Sequence, residues 1–273
     1  MFNHRLIIMI IALATLGASG YRPVKRFTRI ALHHLLQFLL RLRSVDYRIS
    51  PARSVLVLAP HPDDEAFGCG GLIALKRLEG CPVHVVFVTD GSASHPKHPT
   101  LSTTALATLR EQEARSSLRV LGVDSADVRF LGVRDGTLGH LKDEESASII
   151  DHLQVLLESI RPDGVLLPFH DDGSSEHEAA FRLFAATLKR LSFRPRVLEF
   201  PVWSWWKPFL LFPYLFTARR VLRFDYRGYE FLKQAAIESH RSQVEPMAPW
   251  TEPVQPRAFV RFFLSHEEYY FET

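Results

Sequence analysis

The residues with the clearest chemical potential lie in segment 55–71, VLVLAPHPDDEAFGCGG, where an apolar run stops at a histidine, a proline and three acids. His61 and Asp64 are three residues apart, with Asp63 beside them. Such a cluster can supply two metal ligands and a base within one turn. Helix capping is the alternative, because Pro62 and the acids suit a first helical turn. Capping does not account for His61 or for the glycines that follow, so we favour a metal site.

The elements that must position this cluster alternate between strand and helix. Residues 54–59 form an aliphatic run, as expected of a strand buried on both faces of a parallel sheet. Residues 72–79 follow as a helix that Gly80 ends, and residues 83–88 as a second strand, which makes a βαβ unit. The cluster therefore lies at the carboxyl edge of a sheet, where open α/β folds bind their ligands.

The rest of the chain continues this alternation. The pattern predicts helices over 105–121 and 144–159, strands over 127–131, 164–168 and 258–264, and a helix that follows segment 170–178. A dinucleotide-binding oxidoreductase is disfavoured, because GCGG at 68–71 does not match GxGxxG and acids occupy the phosphate position. The fold class is α/β, with a mostly parallel sheet and helices on both faces.

Composition indicates one globular catalytic domain. The chain has 273 residues, of which 47% are hydrophobic and 23% charged. A formal net charge of +3, spread among acids, does not indicate a nucleic-acid partner. The two cysteines, Cys69 and Cys81, form neither a disulfide framework nor a CxxC metal motif. The oligomeric state is left open.

The N-terminal part differs from the rest. Segment 6–18 is apolar but shorter than the about 20 residues of a membrane span, so 1–21 is predicted to be a signal-like or anchor segment. Basic residues follow it in 22–50, and residues 30–42 either lie along a membrane or pack on the domain as an extra helix. We expect membrane association with a cytoplasmic catalytic domain at 51–273; export after signal cleavage is the alternative.

An aromatic segment, 200–216, is interrupted by three prolines, which exclude one long membrane helix. Trp203, Trp205 and Trp206 can stack on sugar rings, lie at a bilayer interface, or pack in the core.

Segment 55–71 resembles the signature of the LmbE-like, PIG-L-type family of zinc-dependent N-acetylglucosaminyl deacetylases, in which a strand ends in (A/P)HPDDE. The resemblance covers roughly residues 53–245 and implies a Rossmann-like fold with the active site at the carboxyl edge of the strands. Further matching segments are Thr89-Asp90-Gly91, Arg110 with Glu113, FLGVRDG at 130–136, Asp172-Gly173 before Glu176-His177, and 233–243, which ends in HRSQ.

The resemblance implies a role for each matching residue. His61, Asp64 and His177 would hold zinc or another divalent transition metal, and Asp63 would act as the base. Arg110 would contact the sugar, and Trp203 is a second candidate for substrate binding. The implied activity is removal of acetyl from an N-acetylglucosamine-type small molecule, glycoconjugate or glycolipid.

The second metal motif departs from the family pattern. The family has H-x-D-H where this chain has SSEH at 174–177, so Ser174 stands in place of a histidine thought to assist protonation. Asp63 returning its proton is the simplest replacement, and His170 is the runner-up.

Two further functions stay open. A metal-dependent amidase could act on another N-acyl small molecule, such as an antibiotic precursor. A non-catalytic glycan-binding member is favoured by Ser174, whereas retention of the full ligand set argues against it.

Overall fold

The computed structural model describes residues 22–48 and 54–273, with side chains from residue 28 onwards. Within these residues, helices flank a single sheet of eight strands. The strands are β1 (Val45–Asp46), β2 (Val55–Ala59), β3 (Val83–Thr89), β4 (Val128–Val133), β5 (Gly164–Pro168), β6 (Arg196–Phe200), β7 (Val221–Asp225) and β8 (Glu267–Glu272).

The helices fill the connections between these strands. They are α1 (Arg22–Arg43), α2 (Asp64–Leu78), α3 (Thr103–Val120), α4 (Asp143–Ile160), α5 (Ser175–Arg190), α6 (Trp203–Trp206), α7 (Glu230–Ser239), α8 (Arg241–Val244) and α9 (Arg257–Phe262). Short 3₁₀ turns lie at Ser125–Asp127, Leu138–His140, Pro208–Leu210 and Phe212–Phe216.

The strand order is β1-β7-β8-β6-β5-β2-β3-β4. All pairings are parallel except those of β8, which is antiparallel to β6 and β7. Because β2 lies between β3 and β5, the winding reverses there, and this is the switch point at which open α/β sheets bind ligands. The predicted α/β fold with a mostly parallel sheet is confirmed.

Strand β2 is buried on both faces because its side chains alternate between two cores. Val55 and Val57 belong to the core that also contains residues of α2 and α3, whereas Leu56 and Leu58 belong to the core with residues of α4 and α5. The strand is thus packed on both sides, and it holds the start of the loop at its carboxyl end in place.

Helix α1 packs on the domain. Leu32, Leu36 and Leu40 repeat every four residues, so they lie on one face, and they are 7%, 0% and 0% exposed in the core. Among the described helices none is long and apolar enough to cross a membrane. The predicted membrane association is wrong, because Leu32, Leu36 and Leu40, which form the apolar face expected to lie along a membrane, pack in the core of the domain. The predicted signal-like segment 1–21 and the boundary at 50/51 lie outside the described residues.

Two other predicted elements differ from the structure. Residues 258–264 were expected as a strand but lie largely in helix α9, where Phe259, Phe262 and Phe263 repeat at helical spacing and are buried. Helix α2 begins at Asp64, ahead of the glycines, although glycine weakens a helix. The glycines serve packing: a Cβ on Gly71 would lie 2.6 Å from the Tyr226 ring.

Candidate active site

The loop after β2 places the predicted cluster at the switch point. The Asp64 carboxylate turns back and accepts a hydrogen bond from the His61 amide at 2.9 Å. Asp63 precedes α2 with φ of 156°, a conformation that costs free energy in a residue with a Cβ, and its side chain does not cap the helix. The capping alternative thus fails for Asp63, whose carboxylate is left for another purpose.

Three ligand atoms converge at this point. Asp64 Oδ2 lies 3.1 Å from His61 Nδ1 and 3.2 Å from His177 Nε2. The His177 Nε2 atom is buried and has no hydrogen-bond partner of suitable geometry. Its lone pair therefore faces the other two ligand atoms without accepting a hydrogen bond. Two imidazoles and one carboxylate with such an orphaned nitrogen fit a divalent metal site. The structure thus brings the three predicted ligands together.

Asp172 orients His177. Its Oδ2 lies 2.8 Å from His177 Nδ1, which fixes the proton on Nδ1 and leaves Nε2 as the ligand atom. Asp172 is itself fully buried. It accepts from the amides of Val202, Trp203 and Ser204 and from the Ser204 hydroxyl. The imidazole is therefore held by a carboxylate that cannot rotate.

The charges of the cluster favour a cation. Burial lowers the pKa of His177, but Asp64 and Asp172 outweigh burial and raise that pKa to about 9. Burial raises the pKa of Asp64, yet the rings of His177 and His61 hold it well below its usual range. Both shifts mean that positive charge is stabilised where the three ligand atoms meet.

The other nitrogen of His61 faces two carboxylates. Glu176 Oε2 lies 2.8 Å and Asp135 Oδ1 lies 3.4 Å from His61 Nε2. The second oxygen of Glu176 accepts from the amides of Gly136 and Leu138. Glu176, one residue before His177, therefore orients His61, the ligand on the opposite side of the cluster.

Asp63 and Arg110 form a buried pair. Arg110 Nη2 lies 3.1 Å from Asp63 Oδ2 and also donates to the carbonyl of Pro62 at 2.6 Å. Burial raises the pKa of Asp63 to about 6, although the Arg110 guanidinium acts in the opposite direction. Glu113, three residues after Arg110, accepts hydrogen bonds from the amide and hydroxyl of Ser242. Arg110 fixes the carboxylate that was predicted to be the base.

A cleft of about 310 Å³ opens over these groups. Trp203 lines this cleft. Trp205 instead packs on His33, and Trp206 packs on Phe259 and Phe262. The residues that line the cleft are His61, Asp63, Asp64, Phe67, Ala93, Ser94, Arg110, Asp135, Gly136, Glu176, Val202, Trp203, Gln243, Val254 and Gln255.

Some of these lining residues were missed as site residues in the sequence. Asp135 and Gln243 lie in the FLGVRDG and HRSQ segments, which gave a signal. Gln255 gave no signal in the sequence, because it lies in a proline-containing segment outside the matching motifs. The fold returns this segment to the cleft, where the Gln255 amide donates to the Gln243 carbonyl at 2.8 Å.

His170 is not brought to the cleft. Its Nδ1 lies 2.6 Å from Glu199 Oε2, and its Nε2 lies 2.8 Å from the Tyr214 hydroxyl. Both ring nitrogens are thus engaged, one by β6 and the other by the 3₁₀ turn Phe212–Phe216, and the ring is absent from the described cleft lining. Its predicted role as proton donor is not supported by this placement.

Comparison with known proteins agrees with the motifs. The family model described as PIG-L, GlcNAc-PI de-N-acetylase, matches residues 56–188. Within these residues the chain matches the PIG-L family. The match includes both metal motifs, so the residues that carry the resemblance are those that meet in the structure.

The relatives of this chain include named deacetylases. A probable N-acetyl-α-D-glucosaminyl L-malate deacetylase 2 of Bacillus subtilis is 28% identical over 71% of this chain and 84% of the relative. A 1D-myo-inositol 2-acetamido-2-deoxy-α-D-glucopyranoside deacetylase of Streptomyces griseus is 31% identical over 46% of this chain and 44% of the relative. Its homologues are therefore deacetylases of N-acetylglucosamine-type compounds.

A solved structure supports the fold of this chain. The N,N'-diacetylchitobiose deacetylase of Pyrococcus horikoshii superposes with a TM-score of 0.56 at 24% identity, covering 77% of this chain and 78% of that one.

Proposed function

We propose that this protein is a divalent-metal-dependent hydrolase that removes the acetyl group from an N-acetylglucosamine-type sugar. The observation that carries the proposal is the convergence of His61 Nδ1, Asp64 Oδ2 and His177 Nε2 beside a buried carboxylate, Asp63, at the floor of a cleft. The names of the relatives support the substrate class. A lipid-linked sugar stays a prediction.

Zinc suits the donor set, because two imidazoles and a carboxylate leave an open position in catalytic zinc sites. When bound there, the metal would polarise the acetyl carbonyl and lower the pKa of water toward about 7. His61, Asp64 and His177 would hold it. Glu176 and Asp172 keep the two imidazoles in place from outside the cluster.

Asp63 is the proposed base. Its carboxylate accepts the proton of the attacking water as the oxygen adds to the acetyl carbonyl, while the ion pair with Arg110 fixes its direction. As the C–N bond breaks, the same carboxyl returns that proton to the sugar nitrogen, which leaves acetate and a free amine. Ser174 is the residue before helix α5 and supplies no imidazole, and His170 lies outside the described cleft lining, so Asp63 takes both roles.

Arg110 and Trp203 are proposed to contact the substrate. Both line the cleft, and the Trp203 ring is packed against Phe259 with ring centroids 5.1 Å apart. A fixed indole face suits the apolar face of a sugar ring.

The test is acetate release from N-acetylglucosamine glycosides by the purified chain, with and without a chelator. The key variant is Asp63→Asn, and the matched control is Asp124→Asn at an exposed position. We expect chelator-sensitive release, and a roughly 10²–10⁴-fold fall in kcat for Asp63→Asn with bound metal unchanged. Absence of release from every glycoside by metal-loaded protein would contradict the proposal and favour another amide substrate or a glycan-binding role.

A further inference from the structure

The cleft has one wall that the shared motifs do not supply. It comes from loop 245–256, between α8 and α9, in which Val254 and Gln255 line the cleft. The family match ends at residue 188, and the matching segments end with HRSQ at 240–243. The groups that this loop presents are therefore features of this chain beyond the chemistry of the metal motifs.

The main chain of loop 245–256 is held near both of its ends. At one end the Gln255 amide donates to the Gln243 carbonyl at 2.8 Å. Nearer the other end, His98 Nε2 donates to the Ala248 carbonyl at 2.8 Å, and the His98 and Trp250 rings pack with centroids 4.9 Å apart. These anchors use the backbone and the Trp250 ring, so they leave the Gln255 side chain for another purpose.

The Gln255 side chain is buried with an unpaired acceptor. The residue is 7% exposed, and its Oε1 is a buried atom with no hydrogen-bond partner in the part of the chain that the structure describes. An unpaired polar atom is costly to bury, and buried polar groups in folded proteins are nearly always paired. Because Gln255 lines the cleft, a donor group on a bound ligand would remove this cost.

The same part of the chain supports the apolar side of the cleft. Phe259 of α9, four residues after Gln255, is 0% exposed. Its ring centroid lies 5.1 Å from that of Trp203 and 5.5 Å from that of Phe67, and both of these rings line the cleft. A sugar ring has apolar faces and a rim of hydroxyl groups, so it can use an indole and a carboxamide together.

The chemistry of the unpaired atoms indicates which ligand group Gln255 meets. Two atoms of the cleft lining are buried without a hydrogen-bond partner among the described residues, Arg110 Nε and Gln255 Oε1. The first is a donor, whereas the second is an acceptor and needs a donor. The donors of an N-acetylglucosamine-type sugar are its amide N–H and its hydroxyl groups. Because hydrolysis requires the acetamido group at the metal ligands and Asp63, the hydroxyl groups remain for Gln255.

We propose that Gln255 is a specificity residue, which hydrogen-bonds a hydroxyl group of the sugar while the sugar ring packs on Trp203. Gln255 Oε1 accepts from the hydroxyl, and the amide group of the same side chain carries donors for a neighbouring hydroxyl oxygen. The proposal rests on the proposed function for the identity of the sugar. It adds the residue that reads the hydroxyl pattern, and that residue lies outside the shared motifs.

The kinetic test compares the methyl glycoside of N-acetylglucosamine with its 3-deoxy, 4-deoxy and 6-deoxy analogues. For the wild type, removal of the contacted hydroxyl should lower kcat/KM about tenfold to a hundredfold, mainly through KM. Gln255→Met keeps the length of the side chain without its polar atoms. It should lower kcat/KM for the parent glycoside by a similar factor and no longer distinguish the parent from that analogue. The matched control, Gln234→Met on the exposed face of α7, should keep the wild-type preference.

The outcomes separate this proposal from the proposed function. Each preference is a ratio measured on one protein, so a smaller folded fraction of a variant cancels. If acetate is released and Gln255→Met keeps the wild-type preference among the four glycosides, the proposal is overturned while the deacetylase stands. If no glycoside is hydrolysed, NMR titration of the intact chain with the methyl glycoside decides. Binding that Gln255→Met weakens supports the proposal, and equal or absent binding in both proteins overturns it.

Discussion

Helix α2 contacts two buried charge clusters that resemble each other in composition and differ in how completely they are paired. One surrounds Asp64 at the start of the helix, and the other surrounds Glu268 beside its middle. Cys69 has non-helical φ and ψ of −148° and 22°, so the helix restarts there and frees new amides. Glu268 uses both oxygens: it accepts from the amides of Gly71 and Leu72, from Lys233 Nζ at 2.7 Å, and from the Tyr270 hydroxyl.

The cluster at Asp64 is left incomplete. His177 Nε2 is buried without an aligned partner, and Asp63 keeps a costly backbone conformation. Complete pairing indicates a structural role, because the fold satisfies every group by itself. Incomplete pairing at a cleft indicates that a ligand finishes the site. The resemblance marked both clusters, through HPDDE and through Lys233 in the 233–243 segment, and only pairing separates their roles.

The largest expected difference between the clusters is in metal binding. His177→Asn should reduce bound zinc, measured by elemental analysis after dialysis, to the background level, because one of the three converging ligand atoms is lost. Lys233→Met should keep its zinc per folded chain. Unaltered zinc in the His177 variant would contradict the ligand assignment.

The free energy of unfolding should depend more on the cluster at Glu268 than on the cluster at Asp64. Lys233→Met leaves Glu268 buried without its cation, so the free energy of unfolding in urea should fall by about 3–5 kcal/mol. Adding Glu268→Gln should restore part of that loss. Arg115→Gln, which breaks a surface pair with Glu111, serves as the control and should cost under about 1 kcal/mol. A small loss for Lys233→Met would show that the cluster is not structural.

Replacing Asp172, the carboxylate that orients His177, should have an effect of intermediate size on zinc affinity. Asp172→Asn keeps the shape but weakens the hold on His177 Nδ1, so zinc affinity measured against a competing chelator should fall about 10–100-fold. Zinc at saturation should stay equal to that of the wild type. An unchanged affinity would mean that the four donors to Asp172, rather than its link to His177, explain its burial.

The smallest effect tests the packing of α2. Gly71→Ala places a methyl group 2.6 Å from the rigid Tyr226 ring, and overpacking of this kind costs about 1–3 kcal/mol. Gly70→Ala meets the flexible Lys233 stem at 3.2 Å and should cost less. Thermal unfolding of the two variants checks the order, and equal midpoints would contradict it.

Much of the fold could be predicted where a pattern is local. Residues 164–168 were predicted as a strand and form β5, and 144–159 lie within α4. Prediction failed for α9, because a short, mostly apolar run fits a strand or a short helix equally well. For residues 30–42 the sequence left a membrane surface and a packed helix as equal alternatives, because an amphipathic face has the same pattern whether a membrane or a protein core covers it, and the structure selects the packed helix.

The candidate site divides in the same way. His61, Asp63 and Asp64 belong to one turn, so their proximity was determined by the sequence alone. Whether His170 or Asp63 could donate a proton depended on the partners of the His170 ring and of the Asp63 carboxylate, which come from β6, from the 3₁₀ turn Phe212–Phe216 and from α3. Glu199 and Tyr214 engage His170, and Arg110 engages Asp63.

By itself the sequence determined the strand-to-helix alternation, the chemistry at the end of β2 and the membership of both metal motifs in one family, since each depends on residues that are near neighbours in the chain. Only the tertiary structure decided which nitrogen of His177 is free and which buried charges are fully paired. Those properties depend on groups that the fold brings together from distant segments, such as Asp64 with His177 and Gly71 with Glu268.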